Sequence, residues 1–177
     1  MDTQNHKISQ IIKTRHANTH MIAREVARGF KPRWYVVIHF NDGASSTKQQ
    51  KRRINADEVE KDLLVVKDQL YTELYGTKWK KKSKRAKSIW GVEYGASKIK
   101  PHVNIIMEEL PYPYDHYKSA FVLFNSYLPA KCKCLWKHST HLQPVEMESI
   151  HHLNSYVCKE SNIDNCTIIH KLTDYQS

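Results

Sequence analysis

The sequence predicts an α+β fold, with helices packed on an antiparallel central sheet of the split βαβ kind. Three observations predict it. β-branched and aromatic runs are typical of strands, apolar residues between them recur at helical spacing, and the second and third runs are joined by a link short enough for a hairpin. The predicted order is strand, helix, two strands, helix, strand, helix.

Size and charge limit what the chain can be. It has 177 residues, 40% hydrophobic and 26% charged, which suits one compact domain with a sizeable core. Lys and Arg number 28 against 18 Asp and Glu, a formal net charge of +10 that favours a polyanionic partner such as nucleic acid. No apolar run approaches the roughly 18 residues of a membrane span, and the N-terminus shows no signal pattern. We therefore expect a cytoplasmic protein without a membrane partner.

The first half of the chain carries one predicted strand and one predicted helix. Residues 34–40, a β-branched and aromatic run closed by Asn-Asp-Gly, predict a buried strand. Asn55 and Glu58 resemble a capping box, and the apolar residues after them step by four, three, four and four. This spacing predicts a helix that ends at Gly76. Residues 1–32, polar and basic, are expected to form a helical extension ahead of the domain.

The second half completes the predicted domain. The sequence predicts a helix over 117–128, a fourth strand over 131–137 and a last helix over 146–161. We assign residues 33–165 to the domain and 166–177 to a C-terminal tail. The four cysteines are too few for a disulfide scaffold, and Cys-x-Cys followed by histidines matches no common zinc spacing, so we expect no zinc site.

The predicted hairpin brings together candidate metal ligands. It pairs strand 88–94 with strand 102–107. Alternation along a strand places His102 and Asn104 on one face, and Glu93 lies across the hairpin. A mixed set of nitrogen and oxygen ligands suits Mn²⁺ or Mg²⁺ better than a closed zinc site. The sequence therefore predicts a divalent-cation site at this hairpin.

The last predicted helix carries a polar stripe. Tyr156 and Lys159 are three residues apart and so share a helix face, with His152 one turn earlier. A phenol, with a pKa of about 10, becomes a good nucleophile only when its ionised form is stabilised, and a nearby lysine can do this. Tyr156 is therefore a candidate nucleophile.

These motifs resemble those of the HUH endonucleases. That superfamily includes the rolling-circle replication initiators of plasmids and single-stranded DNA viruses, the conjugative relaxases and the single-tyrosine transposases. Its marks are a His-hydrophobic-His triplet on a central strand and a Tyr-x-x-Lys motif on a later helix. Here His102 and Asn104 occupy the triplet, and some viral initiators likewise carry an amide residue at the second position. Glu93 matches the upstream carboxylate of those initiators. Tyr156 and Lys159 match the helix motif. The resemblance covers nearly the whole predicted domain.

The resemblance implies an activity. Tyr156 would cleave single-stranded DNA sequence-specifically, leaving a 5′-phosphotyrosine and a free 3′-hydroxyl that can start rolling-circle replication or reseal the strand. Mn²⁺ or Mg²⁺ held by His102, Asn104 and Glu93 would polarise the scissile phosphate. Lys159 would favour the phenolate or hold a phosphate oxygen.

Two details of the resemblance leave alternatives open. Position 160 is Glu rather than a second Tyr, so the resemblance implies one nucleophile in each chain. Strand transfer would then occur by reversal of the cleavage reaction or with the help of a second protomer in a homodimer. Single-tyrosine transposases can take a metal ligand four residues beyond the nucleophile, where Glu160 lies. We favour Glu93, because its strand places it beside His102, and His152 is a further candidate.

A basic stretch, residues 78–87, predicts the contact with DNA phosphates. Trp79 or Trp90 would be available for base stacking. The expected target is an origin hairpin or loop. The chain has no phosphate-binding loop of an ATPase, so an initiator of this kind, encoded by a plasmid, phage or virus, would use the host helicase and polymerase. The predicted phosphate-binding side chains are Lys78, Lys80, Lys81, Lys82, Lys84, Arg85 and Lys87.

Two rival interpretations accompany this one. A transposase or relaxase would use the same chemistry on another DNA target, and the sequence hardly separates it from an initiator. A non-catalytic single-stranded nucleic-acid-binding module is the rival from another class, because ferredoxin-like sheets present aromatic residues to bases in RNA-recognition domains. Against that module, the third strand carries His102 and Asn104 where aromatic residues would be expected.

Overall fold

The structure is a computed structural model that describes residues 29–40, 56–82, 85–94, 101–135, 137, 140–146 and 166–168. The expected N-terminal helices and nearly all of the predicted last helix, including Tyr156 and Lys159, lie outside these residues. Both strands of the predicted hairpin and most of the basic stretch lie within them.

A five-stranded antiparallel sheet forms the centre of the molecule. Its strands are β1 (Trp34–His39), β2 (Ser88–Tyr94), β3 (Pro101–Met107), β4 (His141–Pro144) and β5 (Cys166–Ile168), in the order β4-β1-β3-β2-β5. Each of the four neighbouring pairs is antiparallel. Together with the helices, this confirms a mixed α and β fold with an antiparallel sheet. The β2–β3 hairpin is also confirmed, with Glu93 directly opposite His102.

Helix α1 (Ala56–Tyr75) connects β1 to β2, as the apolar spacing predicts. It ends at Gly76, whose φ of +82° lies in the left-handed region that glycine adopts at low cost. A short 3₁₀ helix, Trp79–Lys81, follows. The apolar side chains on the inner face of α1 are fully buried, and they are Val59, Leu63, Val66 and Leu70.

The connection from β3 to β4 is helical for longer than predicted. Helix α2 (Tyr117–Val122) continues through a π-helical turn, Leu123–Tyr127, into helix α3 (Leu128–Lys131). The predicted fourth strand at 131–137 is therefore wrong. Its alternation of lysine and cysteine comes from a helix end followed by a turn, where Cys132 is buried. Leu135 makes an isolated bridge to Phe40, the residue that follows β1.

The true fourth strand, β4, pairs with β1 at one edge of the sheet, and β5 pairs with β2 at the other. The sequence did not predict β5. Its three residues lie in the range interpreted as a C-terminal tail, so this part of the tail belongs to the sheet.

The two faces of the sheet differ in chemistry because successive side chains point to opposite sides. One face packs against α1 and the 117–131 helical segment, and its side chains include Val36, Ile38 and Ile105. The other face carries most of the predicted metal ligands, and we call it the polar face. It is defined by Tyr35, His39, Glu93, His102 and Asn104.

Candidate functional site

Strand register places three potential ligand side chains in one row across the sheet. His102 on β3 has Glu93 of β2 as its direct partner on one side. On the other side its direct partner is His39 of β1. Directly opposed residues of antiparallel strands have Cβ atoms about 4.5–5.5 Å apart, so their side chains can interact. The row occupies the end of the hairpin nearest its connecting loop.

One carboxylate oxygen joins the predicted cluster. Glu93 Oε2 lies 2.9 Å from His102 Nε2, and the Asn104 amide Nδ2 donates to the same oxygen at 3.3 Å. Glu93 is 5% exposed and Asn104 is 3% exposed, whereas the His102 side chain is 20% exposed. A buried carboxylate needs such partners, because an unpaired one loses its hydration without compensation. The cluster is thus satisfied internally and reaches solvent mainly through His102.

Tyr35 supports this cluster from β1. Its hydroxyl donates a 2.7 Å hydrogen bond to Asn104 Oδ1, and both side chains are buried. The amide of Asn104 is therefore held between a donor, Tyr35, and an acceptor, Glu93. This fixes which end of the amide faces the carboxylate. Tyr35, like His39, was not recognised from the sequence. Only the pairing of β1 with β3 relates these residues to His102, and local spacing contains no signal for that pairing.

The geometry partly fits a divalent cation. Two atoms that bind one small cation at right angles with bonds of about 2.1 Å lie roughly 3 Å apart, and the Glu93–His102 contact of 2.9 Å matches this. Asn104 fits less well as a ligand, because its side-chain nitrogen faces Glu93 and its side-chain oxygen accepts a hydrogen bond from Tyr35. In the described part of the chain, no three His, Cys, Asp or Glu side chains gather into a metal-binding group. His102 and Glu93 are therefore the two side chains that fit a cation as they stand.

Several predicted site residues cannot be related to this cluster. Tyr156, Lys159, Glu160 and His152 lie outside the described residues, as does Lys84 of the basic stretch. The structure therefore describes the candidate metal ligands on β2 and β3 and the rest of the basic stretch.

The described part of the basic stretch surrounds the 3₁₀ helix after α1. Its exposed side chains are Lys78, Lys80, Lys81 and Lys82. Lys80 Nζ lies 3.1 Å from Asp68 Oδ1, with the two side chains 73% and 45% exposed, so this ion pair contributes little to stability. Arg85 is half-buried, with its guanidinium carbon 5.4 Å from the Trp79 ring centroid. Lys87 is also half-buried.

Both tryptophans proposed for base stacking are buried, so that prediction is wrong. Trp79 is 8% exposed, its ring centroid lies 5.0 Å from that of Tyr71, and its Nε1 donates to Asp68 at 3.1 Å. Trp90 is fully buried and donates to Ser88 Oγ at 2.7 Å. An indole buries a large apolar area, which favours the core once its N–H has an acceptor.

No family model, no curated protein and no solved structure matches this chain. None of the helices in the described ranges combines the length and apolar character that crossing a membrane requires.

Proposed function

We propose that the chain is a single-tyrosine endonuclease of the HUH type that nicks and rejoins single-stranded DNA sequence-specifically to initiate rolling-circle replication. The observation that carries the proposal is the contact of Glu93 with both His102 and Asn104. The upstream carboxylate and the strand motif thus meet in space, and a Tyr-x-x-Lys motif follows them in the sequence.

The order of strands supports the split βαβ arrangement that accompanies this proposal. Helix α1 joins β1 to β2, and β3 lies between these two strands in the sheet. Likewise the 117–131 helical segment joins β3 to β4, with β1 between them. Two interleaved strand–helix–strand units on one antiparallel sheet are the pattern named split βαβ.

The proposed reaction is a transesterification. The Tyr156 hydroxyl oxygen attacks phosphorus while its proton departs, the bond from phosphorus to the 3′ oxygen breaks, and that oxygen takes a proton to become a free 3′-hydroxyl. The product is a 5′-phosphotyrosine ester, so the same steps in reverse reseal the strand. His102 and Glu93 would hold the divalent cation, Mn²⁺ or Mg²⁺, whose chemistry is to withdraw charge from the scissile phosphate. Lys159 would stabilise the phenolate.

The exposed lysines at 78–82 support a nucleic-acid partner. They form a cluster of positive charge on a chain whose formal net charge is +10. Lysines that neutralise phosphates release counterions, which provides sequence-independent affinity for a DNA strand. We propose an origin hairpin or loop as the target, in a host cytoplasm where the helicase and polymerase are supplied. A second protomer would assist strand transfer.

Adduct formation tests the proposal. The protein is incubated with Mn²⁺ and a library of labelled single-stranded hairpin oligonucleotides and analysed on a denaturing gel. We expect a covalent adduct with the native chain, none with Tyr156→Phe and little with His102→Ala. Tyr112→Phe, at a tyrosine that is 85% exposed, is the matched control and should leave the adduct unchanged. An adduct that persists in Tyr156→Phe would contradict the assigned nucleophile.

A second candidate, the non-catalytic binding module, is favoured by one observation. The cluster is internally satisfied, with Glu93 almost entirely buried, as in a purely structural polar network. Oligonucleotide binding without adduct formation under any metal condition would favour the binding module. An adduct formed on transposon-end or transfer-origin sequences alone would favour the transposase or the relaxase.

A further inference from the structure

An open cleft of about 1100 Å³ lies at the end of the sheet opposite His102 and Glu93. Its walls come from the segments just before β1 and β2, the segment just after β3, and the C-terminal end of α1. Strand register brings the first three together, because Trp34 of β1 and Ser88 of β2 both pair with Met107 of β3. Met107 lies five residues beyond His102, which corresponds to roughly 17 Å along the strand. The cleft is therefore separate from the candidate metal centre.

Three cationic side chains line this cleft, and two of them lie against tryptophan rings. Lys31 and Arg33 precede β1 and are exposed, and Arg85 precedes β2 and is half-buried. The guanidinium carbon of Arg33 lies 5.5 Å from the centroid of the Trp34 ring, and that of Arg85 lies 5.4 Å from the centroid of the Trp79 ring. None of the three cations forms an ion pair within the described part of the chain. Their charges can therefore act on a ligand in the cleft.

Glu108, at the end of β3, holds the cationic segments in place. Its Oε1 accepts the backbone N–H of Lys31 at 3.2 Å, and its Oε2 accepts that of Lys87 at 2.9 Å. One carboxylate thus bonds to the segment that carries Arg33 and to the segment that carries Arg85. The Arg33 backbone is also bonded to the end of β3 and to the residue after β4, at 2.7 and 2.9 Å. The cationic walls are therefore fixed before a ligand binds, which lowers the entropy cost of binding.

The positive charge of the cleft continues into the exposed lysines of the basic stretch. Lys80 Nζ lies 5.3 Å from the centroid of the Trp79 ring, the same ring that Arg85 contacts. Lys81 and Lys82 follow and are exposed. A polyanion that contacts these lysines therefore reaches the cleft past Arg85.

Carboxylates on the segment after β3 indicate which polyanion fits the cleft. Glu109 is exposed and Asp115 is half-buried, and both line the wall. A carboxylate repels other anions but accepts hydrogen bonds from base amino groups, such as that of cytosine. Single-stranded DNA offers phosphates to the cations and base amino groups to the carboxylates. An acidic peptide offers side chains that only the cations attract, so the mixed lining favours DNA.

We infer that this cleft binds a segment of single-stranded DNA away from the cleaved phosphate, with Lys31, Arg33 and Arg85 on its phosphates. The inference deepens the proposed function and rests on it in taking single-stranded DNA as the partner. The planar guanidinium groups of the two arginines match phosphate oxygens in pairs, which lysines do not. Because roughly 17 Å of β3 separates the cleft from His102, the bound segment lies a few nucleotides from the cleaved phosphate.

DNA binding without cleavage tests the inference. Fluorescence anisotropy with a labelled deoxycytidine oligonucleotide in EDTA measures affinity as a function of salt concentration. Arg33→Gln and Arg85→Gln should each reduce the salt slope by about 0.7, which corresponds to an affinity loss of about fivefold at 100 mM salt. Arg33→Lys keeps the charge and should keep the slope. Lys61→Gln, at an exposed lysine of α1, is the matched control and should change neither slope nor affinity.

Hydrogen exchange locates the bound DNA. We expect the oligonucleotide to slow exchange in peptides that cover residues 29–35 and 107–114. Slowing confined to other peptides overturns the inference, and so do native slopes and affinities in folded Arg33→Gln and Arg85→Gln variants. A poly-glutamate peptide of equal length that binds as tightly, and loses as much in both variants, overturns DNA as the occupant.

Combining these results with the adduct assay separates the two proposals. Arginine-dependent DNA binding at the cleft in a protein that forms no covalent adduct leaves the inference standing and overturns the proposed function. A covalent adduct together with native DNA binding in both arginine variants overturns the inference alone.

Discussion

Glu93 and His102 oppose each other across the β2–β3 hairpin, with Oε2 of the carboxylate 2.9 Å from Nε2 of the imidazole. The same oxygen receives the Asn104 amide, which in turn accepts from Tyr35. Three adjacent strands are thereby connected through polar side chains on one face of the sheet. Because these groups satisfy one another, the cluster can stay buried while His102 remains partly open to solvent.

Tyr35→Phe should lower the free energy of unfolding by about 1–2 kcal/mol, because it leaves the buried Asn104 oxygen without its hydroxyl donor. Urea unfolding at pH 7 measures the change. Tyr112→Phe removes the same atom from an 85% exposed side chain and should alter stability by less than about 0.5 kcal/mol. Equal effects of the two substitutions would show that the Tyr35–Asn104 bond contributes no net stability.

Tyr114 and Glu73 should make stability depend on pH at both extremes. The Tyr114 hydroxyl donates to Glu73 Oε1 at 2.5 Å; this bond raises the pKa of Tyr114 to about 12 and, with a hydrogen bond from Tyr127, lowers the pKa of Glu73. A raised tyrosine pKa gives stability that is present below pH 10 and lost as pH rises towards 12. A lowered carboxylate pKa gives stability that is present above pH 4.5 and lost as pH falls below it.

Tyr114→Phe should therefore reduce both the alkaline and the acidic loss, and both changes should be modest because solvent screens the pair. Part of the alkaline loss should remain, because the hydrogen bond to Glu73 also raises the pKa of Tyr127. Urea unfolding at pH 3.5, 7 and 11 measures this, with Tyr117→Phe as the control at a half-exposed tyrosine. A pH profile of Tyr114→Phe identical to the native one would contradict the coupling.

The thiols after α3 should be unreactive in the folded protein. Desolvation by burial, followed by the charge of Asp62, raises the pKa of Cys132 to about 11 and that of Cys134 to about 12. Only the thiolate attacks alkylating reagents, so a rise of about two pH units in Cys132 should slow its alkylation at pH 8 about 100-fold. Iodoacetamide labelling with peptide mapping, in buffer and in urea, measures each cysteine separately. Equal labelling rates in the two conditions would contradict burial as the cause.

The exposed lysines should determine the salt dependence of single-stranded DNA binding. Each phosphate contact contributes about 0.7 to the slope of log affinity against log salt concentration. Lys81→Gln and Lys82→Gln should each reduce the slope by about this amount when measured by fluorescence anisotropy from 50 to 200 mM salt. Lys118→Gln, at an exposed lysine of α2, is the control and should leave the slope unchanged. Unchanged slopes in both test variants would place the DNA contact elsewhere.

The Trp79→Phe variant separates the electrostatic contribution to single-stranded DNA binding from any contribution of base stacking. Because the Trp79 ring is buried against Tyr71, its replacement should cost stability while DNA affinity in the folded variant stays within twofold. A tenfold loss of affinity would restore a stacking role for this residue.

Much of the fold follows from local patterns. Strand β1, helix α1 and the β2–β3 hairpin lie where alternation, apolar spacing and a short link predict them. The approach of Glu93 to His102 was predictable for the same reason, since the two are nine residues apart on one hairpin. The fourth strand was misplaced because a helix end followed by a turn, around Cys132, reproduces the two-residue period of a strand.

The sequence by itself determined the first three strands, the main helix and the carboxylate–imidazole pair of the hairpin, because backbone geometry converts short-range spacing directly into shared faces. Only the tertiary structure decided that Tyr35 donates to Asn104, that His39 lies opposite His102, and that Trp79 and Trp90 are buried in the core. Tyr35 and Asn104 are 69 residues apart, so their contact depends on how β1 aligns with β3. That alignment depends on the packing of a whole sheet against its helices, which no local run of residues encodes.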